Sequence, residues 1–421
     1  MSLKVRAGTF TEVHTFTRRT TCLIGRGDEC GIRLARSEKK VSRHHCMFDV
    51  NPPHLRVRDL GSRNGTYVNG KPLRGSPAVR ELADGDELRI GTAVLLVTVT
   101  DAEPAPVPDV RHDPSDAPHT LLAAADAGEP ALTGIRGYRL LQELGRGGQG
   151  VVHLARREGT GELLALKTLS AHGPVSRPAR DGFLREFACT RALQHRNVVA
   201  FHGGGVHGST FYFTCEYCRW GSVADWVVQA GGRLNVEQAL AITLQTLRGL
   251  AYAHTAEVPV QLPDGSVTVS HGLVHRDIKP QNLLLTGNSK RMTLKIADFG
   301  LAKAFDSAGL SGHTLTGAMG GSLAFMPRGQ VIDFKYVRPE ADLWAVTACL
   351  YWMLTGSAPR DFPPSADPVA VVLREPPVPV RDRLPSLPRR LAELIDTCLI
   401  DRPRITLTTA SDLWSAIRQA M

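Results

Sequence analysis

Short apolar and β-branched runs separated by turn residues fill the first hundred positions. TCLIG, CMFDV, LRVRDL, TYVNG, ELRIG and AVLLVTVT read as strands. Gly25-Arg26-Gly27-Asp28, Asn64-Gly65, Asn69-Gly70 and Asp84-Gly85-Asp86 supply the turns between them. About a hundred residues of this kind predict an all-β sandwich. Further along, strand-like segments give way to helical spacing in QALAITLQTLRGLAYAHT and DLWAVTACLYWMLTG. That order predicts a β-rich lobe followed by a helical one, an α+β unit.

Between the two lies DAEPAPVPDVRHDPSDAPHT, rich in Pro, Ala and Asp and poor in large apolar side chains. Such a stretch buries too little surface to offset the entropy of ordering it. The expected organisation is therefore a domain at 1–100, a flexible acidic linker at 101–134 and a second domain at 135–421, with lobes at about 135–218 and 219–421.

Charge follows these divisions. The net value is +9, from +7 over residues 1–100, −6 over 101–134 and +8 beyond. A basic chain can bind nucleic acid, but the cations here are dispersed rather than interleaved with aromatics, so no nucleic-acid partner is expected. The eight cysteines are scattered, which suits reduced intracellular thiols. Cys215 and Cys218 form a CxxC without the second ligand pair that zinc usually needs. No run of about 20 apolar residues predicts a membrane span, and the first residues lack a signal core, so a cytoplasmic location is expected.

Three polar clusters sit in the turns of the first domain: Gly25-Arg26, Ser42-Arg43-His44-His45, and Arg63-Asn64-Gly65-Thr66 followed by Asn69-Gly70. Arginine offers a planar fork to phosphate, and Ser and Asn add orientation without bulk. Each cluster alone also reads as turn formation. Together, over about 20–99, they resemble the forkhead-associated (FHA) domain, an eleven-stranded sandwich that binds phosphothreonine peptides. The resemblance implies that Arg26 and Ser42 contact phosphate and that Asn64 holds the peptide backbone. Arg43 and Arg63 would make neighbouring contacts, and His45 would brace the loops from inside.

In the second domain, Leu144-Gly-Arg-Gly-Gly-Gln-Gly-Val-Val152 carries GxGxxGxV. Its glycines let backbone close over phosphates. A dinucleotide site would show an acidic residue about 20 positions on, whereas Leu164-Ala-Leu-Lys167 follows. Val274-His-Arg-Asp-Ile-Lys-Pro-Gln-Asn-Leu283 and then Asp298-Phe-Gly300 complete an ordered set, HRDxKxxN and DFG. Over about 138–420 the chain resembles eukaryotic-type (Hanks-type) serine/threonine protein kinases, including bacterial ones.

The resemblance implies ATP with magnesium or manganese, and protein Ser/Thr hydroxyls as acceptors. Asp277 is the expected base, Lys279 steadies the moving phosphoryl group, and Asn282 and Asp298 hold metal. Lys167 would bind phosphates, positioned by Glu186. Leu144, Gly145, Gly147, Gly150, Val152 and Ala165 would enclose the nucleotide, and the backbone at Glu216 and Cys218 would bond adenine beside a Cys215 gatekeeper. Asp342 would brace the catalytic loop. Thr314 and Thr316 are the candidate autophosphorylation sites, since Arg276 precedes Asp277.

The chain departs from the family pattern at Gly329, where the APE glutamate is expected, and around CLIDRPRITLTTASDL, where its arginine partner is expected. A modestly less rigid activation segment is the expectation. An alternative reading follows, in which the kinase fold is weakly active or inactive and the chain is a phosphothreonine-dependent adaptor. EVPVQLPDGSVTVS, inserted after His254, reads as a β-hairpin.

Overall fold

The structure, a computed structural model, describes residues 2–7, 10–16, 20–51, 54–75, 78–99, 135, 137–147, 150–170, 190–207, 210–261, 267–288, 291–299, 320–333, 337–402 and 404–421. The linker at 101–134, Glu186, Thr314 and Thr316 lie outside them.

The N-terminal module packs two sheets. Its strands are β1 Ser2–Ala7, β2 Phe10–Thr15, β3 Thr20–Gly25, β4 Ile32–Arg33, β5 Cys46–Asn51, β6 His54–Asp59, β7 Thr66–Val68, β8 Lys71–Pro72, β9 Val79–Leu82, β10 Glu87–Ile90 and β11 Ala93–Thr98. One sheet runs β2-β1-β11-β10-β7-β8 and the other β4-β3-β5-β6-β9. Alternation places Cys22 and Ile24 of β3, and Cys46, Phe48 and Val50 of β5, in the core between the sheets.

The C-terminal module begins with an antiparallel five-stranded sheet in the order β12-β13-β14-β16-β15. These strands are Tyr138–Gly147, Gly150–Arg157, Leu163–Ser170, Phe201–His207 (β15) and Thr210–Glu216 (β16). The helical lobe follows with α1 Val223–Gln229 and α2 Val236–Ala253, both opened by capping boxes at Ser222 and Asn235. A hairpin of β17 Glu257–Gln261 and β18 Val267–His271 forms at the inserted segment, as its alternation predicts. Strands β19 Leu283–Asn288 and β20 Arg291–Ile296 flank the catalytic elements.

Beyond them come α3 Gly320–Leu323, α4 Arg328–Ile332, α5 Pro339–Thr355, α6 Pro368–Arg374, α7 Val380–Arg383, α8 Arg389–Cys398 and α9 Ala410–Ala420. Helix α5 is apolar all round, so it is buried centrally, with Trp344 and Tyr351 both fully enclosed. Gly356 ends it in a left-handed conformation.

The two modules dock. Leu23, Cys30, Met47 and Leu60 of the sandwich form one apolar cluster with Leu323, Met326, Val331, Val369, Val372 and Leu373 of the helical lobe. Polar contacts join across the same seam. Arg328 pairs with Glu29, Arg58 with Asp367 at 3.5 Å, and Arg374 donates to the carbonyls of His44 (3.1 Å) and Leu60 (2.8 Å). The linker reading carried no expectation of this contact.

Candidate functional site

A short 3-10 turn at Pro280–Asn282 and the ends of β19 and β20 bring the catalytic-loop residues together. Asp277 Oδ2 meets Lys279 Nζ at 2.9 Å and accepts from Asn282 Nδ2 at 3.1 Å. Asn282 Nδ2 also donates to the Asp277 carbonyl at 2.7 Å, which leaves its amide oxygen to face outward from that bond. Lys279 reaches Ser322 Oγ at 2.9 Å, tying the loop to α3.

The loop is held in a conformation that side chains rarely adopt. Arg276 has φ 69° and Asp298 φ 59°. Asp342, 1% exposed on α5, accepts the backbone N–H of His275 at 2.8 Å and of Arg276 at 2.9 Å, and pairs with His254 at 2.8 Å. Burial alone would raise the Asp342 carboxyl, but His254 and the loop N–H groups pull it below the ordinary value. Gln330 secures the Arg276 carbonyl from the other side. His275 Nδ1 accepts the Asp277 N–H at 3.1 Å, so its Nε2 donates to the Ala297 carbonyl at 2.7 Å, and the ring stacks edge-on against buried Phe299 at 4.6 Å.

Lys167 on β14 reaches Asp298 Oδ2 at 2.7 Å. Burial opposes the charge on Asp298, yet Lys167 outweighs it and keeps the carboxyl below its usual range. Ala165 lies opposite Cys215 across β14 and β16, and Val152 lies opposite Lys167 across β13 and β14. Gly145 and Gly147 on β12 pair with β13 across the Gly-rich turn, with Leu144 beside them. Gly150 has φ 137°, and a Cβ there would collide with the Thr168 carbonyl, so only glycine fits. The Glu216 N–H bonds the Ala200 carbonyl at 2.9 Å. The sequence reading missed one contact here: Lys295, in the run before Asp298, pairs with Glu216 at 2.7 Å.

At Gly329 a different lock stands where the glutamate–arginine pair was expected. Asp401 accepts the Arg328 N–H at 2.8 Å and pairs with buried Arg360 at 2.6 Å, and Arg360 also donates to the Met326 and Glu375 carbonyls. The segment end at 326–328 is thus tied to the helical lobe through Asp401. The departure at Gly329 thus comes with a different tie at 326–328, while residues 300–319 of the segment lie outside the described residues. The signal was DRP in the departing C-terminal stretch, but nothing in its spacing named Arg360 as partner.

In the sandwich, the three polar clusters converge at one end. His45 is fully buried; its Nδ1 accepts the Ser42 N–H at 3.1 Å, so Nε2 donates to the Gly65 carbonyl at 3.1 Å. Burial holds this imidazole below its ordinary pKa, and it stays neutral. Asp59 accepts from Ser62 and Thr66, shaping the turn that carries Arg63 and Asn64. Asn64 donates to the Lys40 carbonyl at 2.7 Å, and the Arg63 N–H bonds Ser42 Oγ at 3.2 Å. Arg26 spends its Nε on the Val41 carbonyl at 2.9 Å, leaving its terminal nitrogens. A cavity of 460 Å³ opens there, and Arg26, Ser42, Arg43 and Arg63 all line it. Gly25 allows the close strand crossing, since a Cβ there would strike the Arg43 carbonyl.

The protein kinase domain family matches residues 138–415, two thirds of the chain. The chain belongs to the protein kinase family. The FHA domain family matches residues 22–91, so the architecture is an FHA module followed by a kinase module. Serine/threonine-protein kinase PknJ of Mycobacterium tuberculosis is 32% identical over 291 residues, covering 68% of this chain and 45% of that protein. Serine/threonine-protein kinase cds1 of Schizosaccharomyces pombe is 28% identical over 352 residues, covering 80% of this chain and 68% of that one. That stretch is too long for the kinase module alone. The chain spans about half the length of the mycobacterial relatives it matches. The kinase-domain structure of Mycobacterium tuberculosis PknI superposes with a TM-score of 0.50 at 21% identity, covering 68% of this chain and 96% of that one, a likeness of fold.

Proposed function

We propose that this chain is a serine/threonine protein kinase that transfers phosphate from ATP to protein hydroxyls, with its FHA module reading phosphothreonine peptides. The clustering of Asp277, Lys279, Asn282, Asp298 and Lys167 on a loop braced by Asp342 carries the reading. Lys279 and Asn282 both engage Oδ2 of Asp277, so Oδ1 is the atom placed to take a hydroxyl proton. Lys279 then lies beside the same hydroxyl, where it steadies negative charge on the moving group.

Oxygen donors suit a hard cation, and the pair Asp298 and Asn282 offers a carboxylate kept ionised and an amide oxygen whose nitrogen is already bonded. These two would hold magnesium or manganese, which supplies charge neutralisation between phosphates. Lys167 would leave or share Asp298 to meet the phosphates, and the glycine strand pair would close over them. The Glu216 carbonyl and the Cys218 N–H would recognise adenine, with Val152 and Ala165 against its faces and Cys215 at the back. Glu186 would position Lys167, and autophosphorylation would fall on Thr314 or Thr316.

In the FHA module, Arg26 and Ser42 would grip the phosphate, Asn64 the peptide backbone, and Arg43 and Arg63 the flanks. Proteins bearing Ser or Thr and phosphothreonine peptides are the partners of this reading. The seven described cysteines are free thiols, which suits the cytoplasm.

The test is phosphate transfer from labelled ATP to the chain itself and to a generic basic substrate, comparing wild type with Asp277→Asn, with magnesium and with chelator. Transfer that needs both Asp277 and metal supports the kinase. A folded wild type that transfers nothing with any divalent metal sinks it and leaves the adaptor. In parallel, Arg26→Ala should lower substrate phosphorylation more than basal ATP turnover.

A further inference from the structure

The cavity at the reading end of the FHA module is not lined by that module alone. Arg374, at the end of α6, and Arg402, after α8, line the same 460 Å³ space from the kinase side. Seven cations surround it, namely Arg26, Lys39, Lys40, Arg43, Arg63, Arg374 and Arg402, and among the described residues no carboxylate lines it. Such a collection repels itself. Burial and then Arg328 push Arg402 below the ordinary arginine value, with Glu29 and Asp401 opposing them and Arg43 adding the smallest push.

The kinase-side arginines are placed rather than adrift. Arg374 donates one terminal nitrogen to the His44 and Leu60 carbonyls, which fixes its guanidinium next to the Ser42-Arg43-His44 loop. Arg402 donates to the Leu373 carbonyl and so stands beside it. Arg374 and Arg402 both keep exposed surface. The apolar seam of Leu23, Met47, Val369 and Leu373 supplies the attraction that brings the cations together.

We infer that the phosphate site is composite: Arg374 and Arg402 of the kinase module complete the pocket begun by Arg26 and Ser42, and a phosphothreonine peptide binds across the seam between the modules. This rests on the FHA module being a phosphothreonine reader. A phosphothreonine dianion neutralises charge from both sides, so binding it favours the docked arrangement, and docking in turn raises affinity for the peptide. Because Leu323 follows Ser322, and Ser322 touches Lys279, the seam also runs beside the catalytic loop.

The experiment measures anisotropy of a labelled degenerate phosphothreonine peptide library on the full-length chain, with the unphosphorylated library as control. Arg402→Ala removes a cation without touching a cross-module hydrogen bond. Leu23→Glu opens the seam while keeping every cation of the pocket, and Leu23 is absent from the sandwich core. Arg26→Ala tests the reader itself. Thermal melts of each variant check folding.

Arg402→Ala and Leu23→Glu should each weaken binding about tenfold, the loss expected for one charge-assisted contact to a dianion. Phosphopeptide should also slow hydrogen exchange over 369–373 in the wild type. If Arg26→Ala removes binding while Arg402→Ala and Leu23→Glu bind as wild type does, the FHA module reads alone and the composite site is wrong. If Arg26→Ala binds as wild type does, the reader itself fails.

Discussion

Asp401→Asn is the sharpest test of how the kinase module holds its segment end. The Arg360 side chain is 1% exposed and that of Asp401 7%, and they meet at 2.6 Å. Arg360 also bonds the Met326 and Glu375 carbonyls and lies over the Trp344 ring at 4.8 Å, so it cannot turn to water. Asparagine keeps the shape but removes the charge, leaving a buried guanidinium without its counter-ion. Breaking one side of a buried pair costs about 3–5 kcal/mol, and the amide oxygen retains part of it, so about 3 kcal/mol is the working figure. For a module of this size that is a fall in Tm of roughly 6–12 °C.

Differential scanning calorimetry reads it directly, with phosphate transfer measured alongside. Asp401→Leu, Arg360→Met and the double variant carrying both complete a cycle with the wild type. The double variant should recover much of the loss, giving a coupling energy of about 2 kcal/mol. A drop under about 2 °C for Asp401→Asn, or additive single and double effects, refutes the lock and returns Gly329 to an unsupported gap.

Asp277→Asn should lower the transfer rate by about 10²–10⁴-fold with Tm unchanged, read by labelled ATP. Asp342→Asn should lower kcat by about 10²-fold, since it loses one backbone acceptor and the His254 pair that hold Arg276 at positive φ; an unchanged kcat would mean the loop braces itself. Burial opposes ionisation of Glu29, but its backbone hydrogen bond, His44 and Arg328 take it from 4.5 to about 2. A depressed carboxyl stabilises above the unfolded value and loses that as pH falls, so the Tm gap between wild type and Glu29→Gln should be full above pH 4.5 and close toward pH 2. A gap that holds constant through that window would show that the Arg328 and His44 contacts contribute no charge.

Much of the candidate site was legible because its motifs are short and local. HRDxKxxN places Asp277, Lys279 and Asn282 within six residues, and one turn of 3-10 helix suffices to bring them together. The strands of the sandwich were legible from alternation and turn chemistry, and the hairpin at 257–271 from its own alternation. Asp342 was legible only through resemblance, since 65 residues separate it in sequence from Asp277 while it bonds the loop's backbone.

The contact between the modules was written more faintly. TCLIG and CMFDV do not alternate cleanly; Leu23 and Met47 are as apolar as the residues beside them. A strand apolar on both faces is a strand covered on both faces, and here the second cover is α6 and the neighbouring helices. Sequence alone thus determined the two modules and their order, and named the candidate catalytic and phosphate-binding residues, because local patterns and ordered motifs encode them. Only the tertiary structure decided that Asp401 and Arg360 replace the missing glutamate lock, and that Arg374 and Arg402 stand over the FHA loops. Those pairs lie tens to hundreds of residues apart, and what joins them is burial of shared apolar surface, which has no spacing to read along a chain.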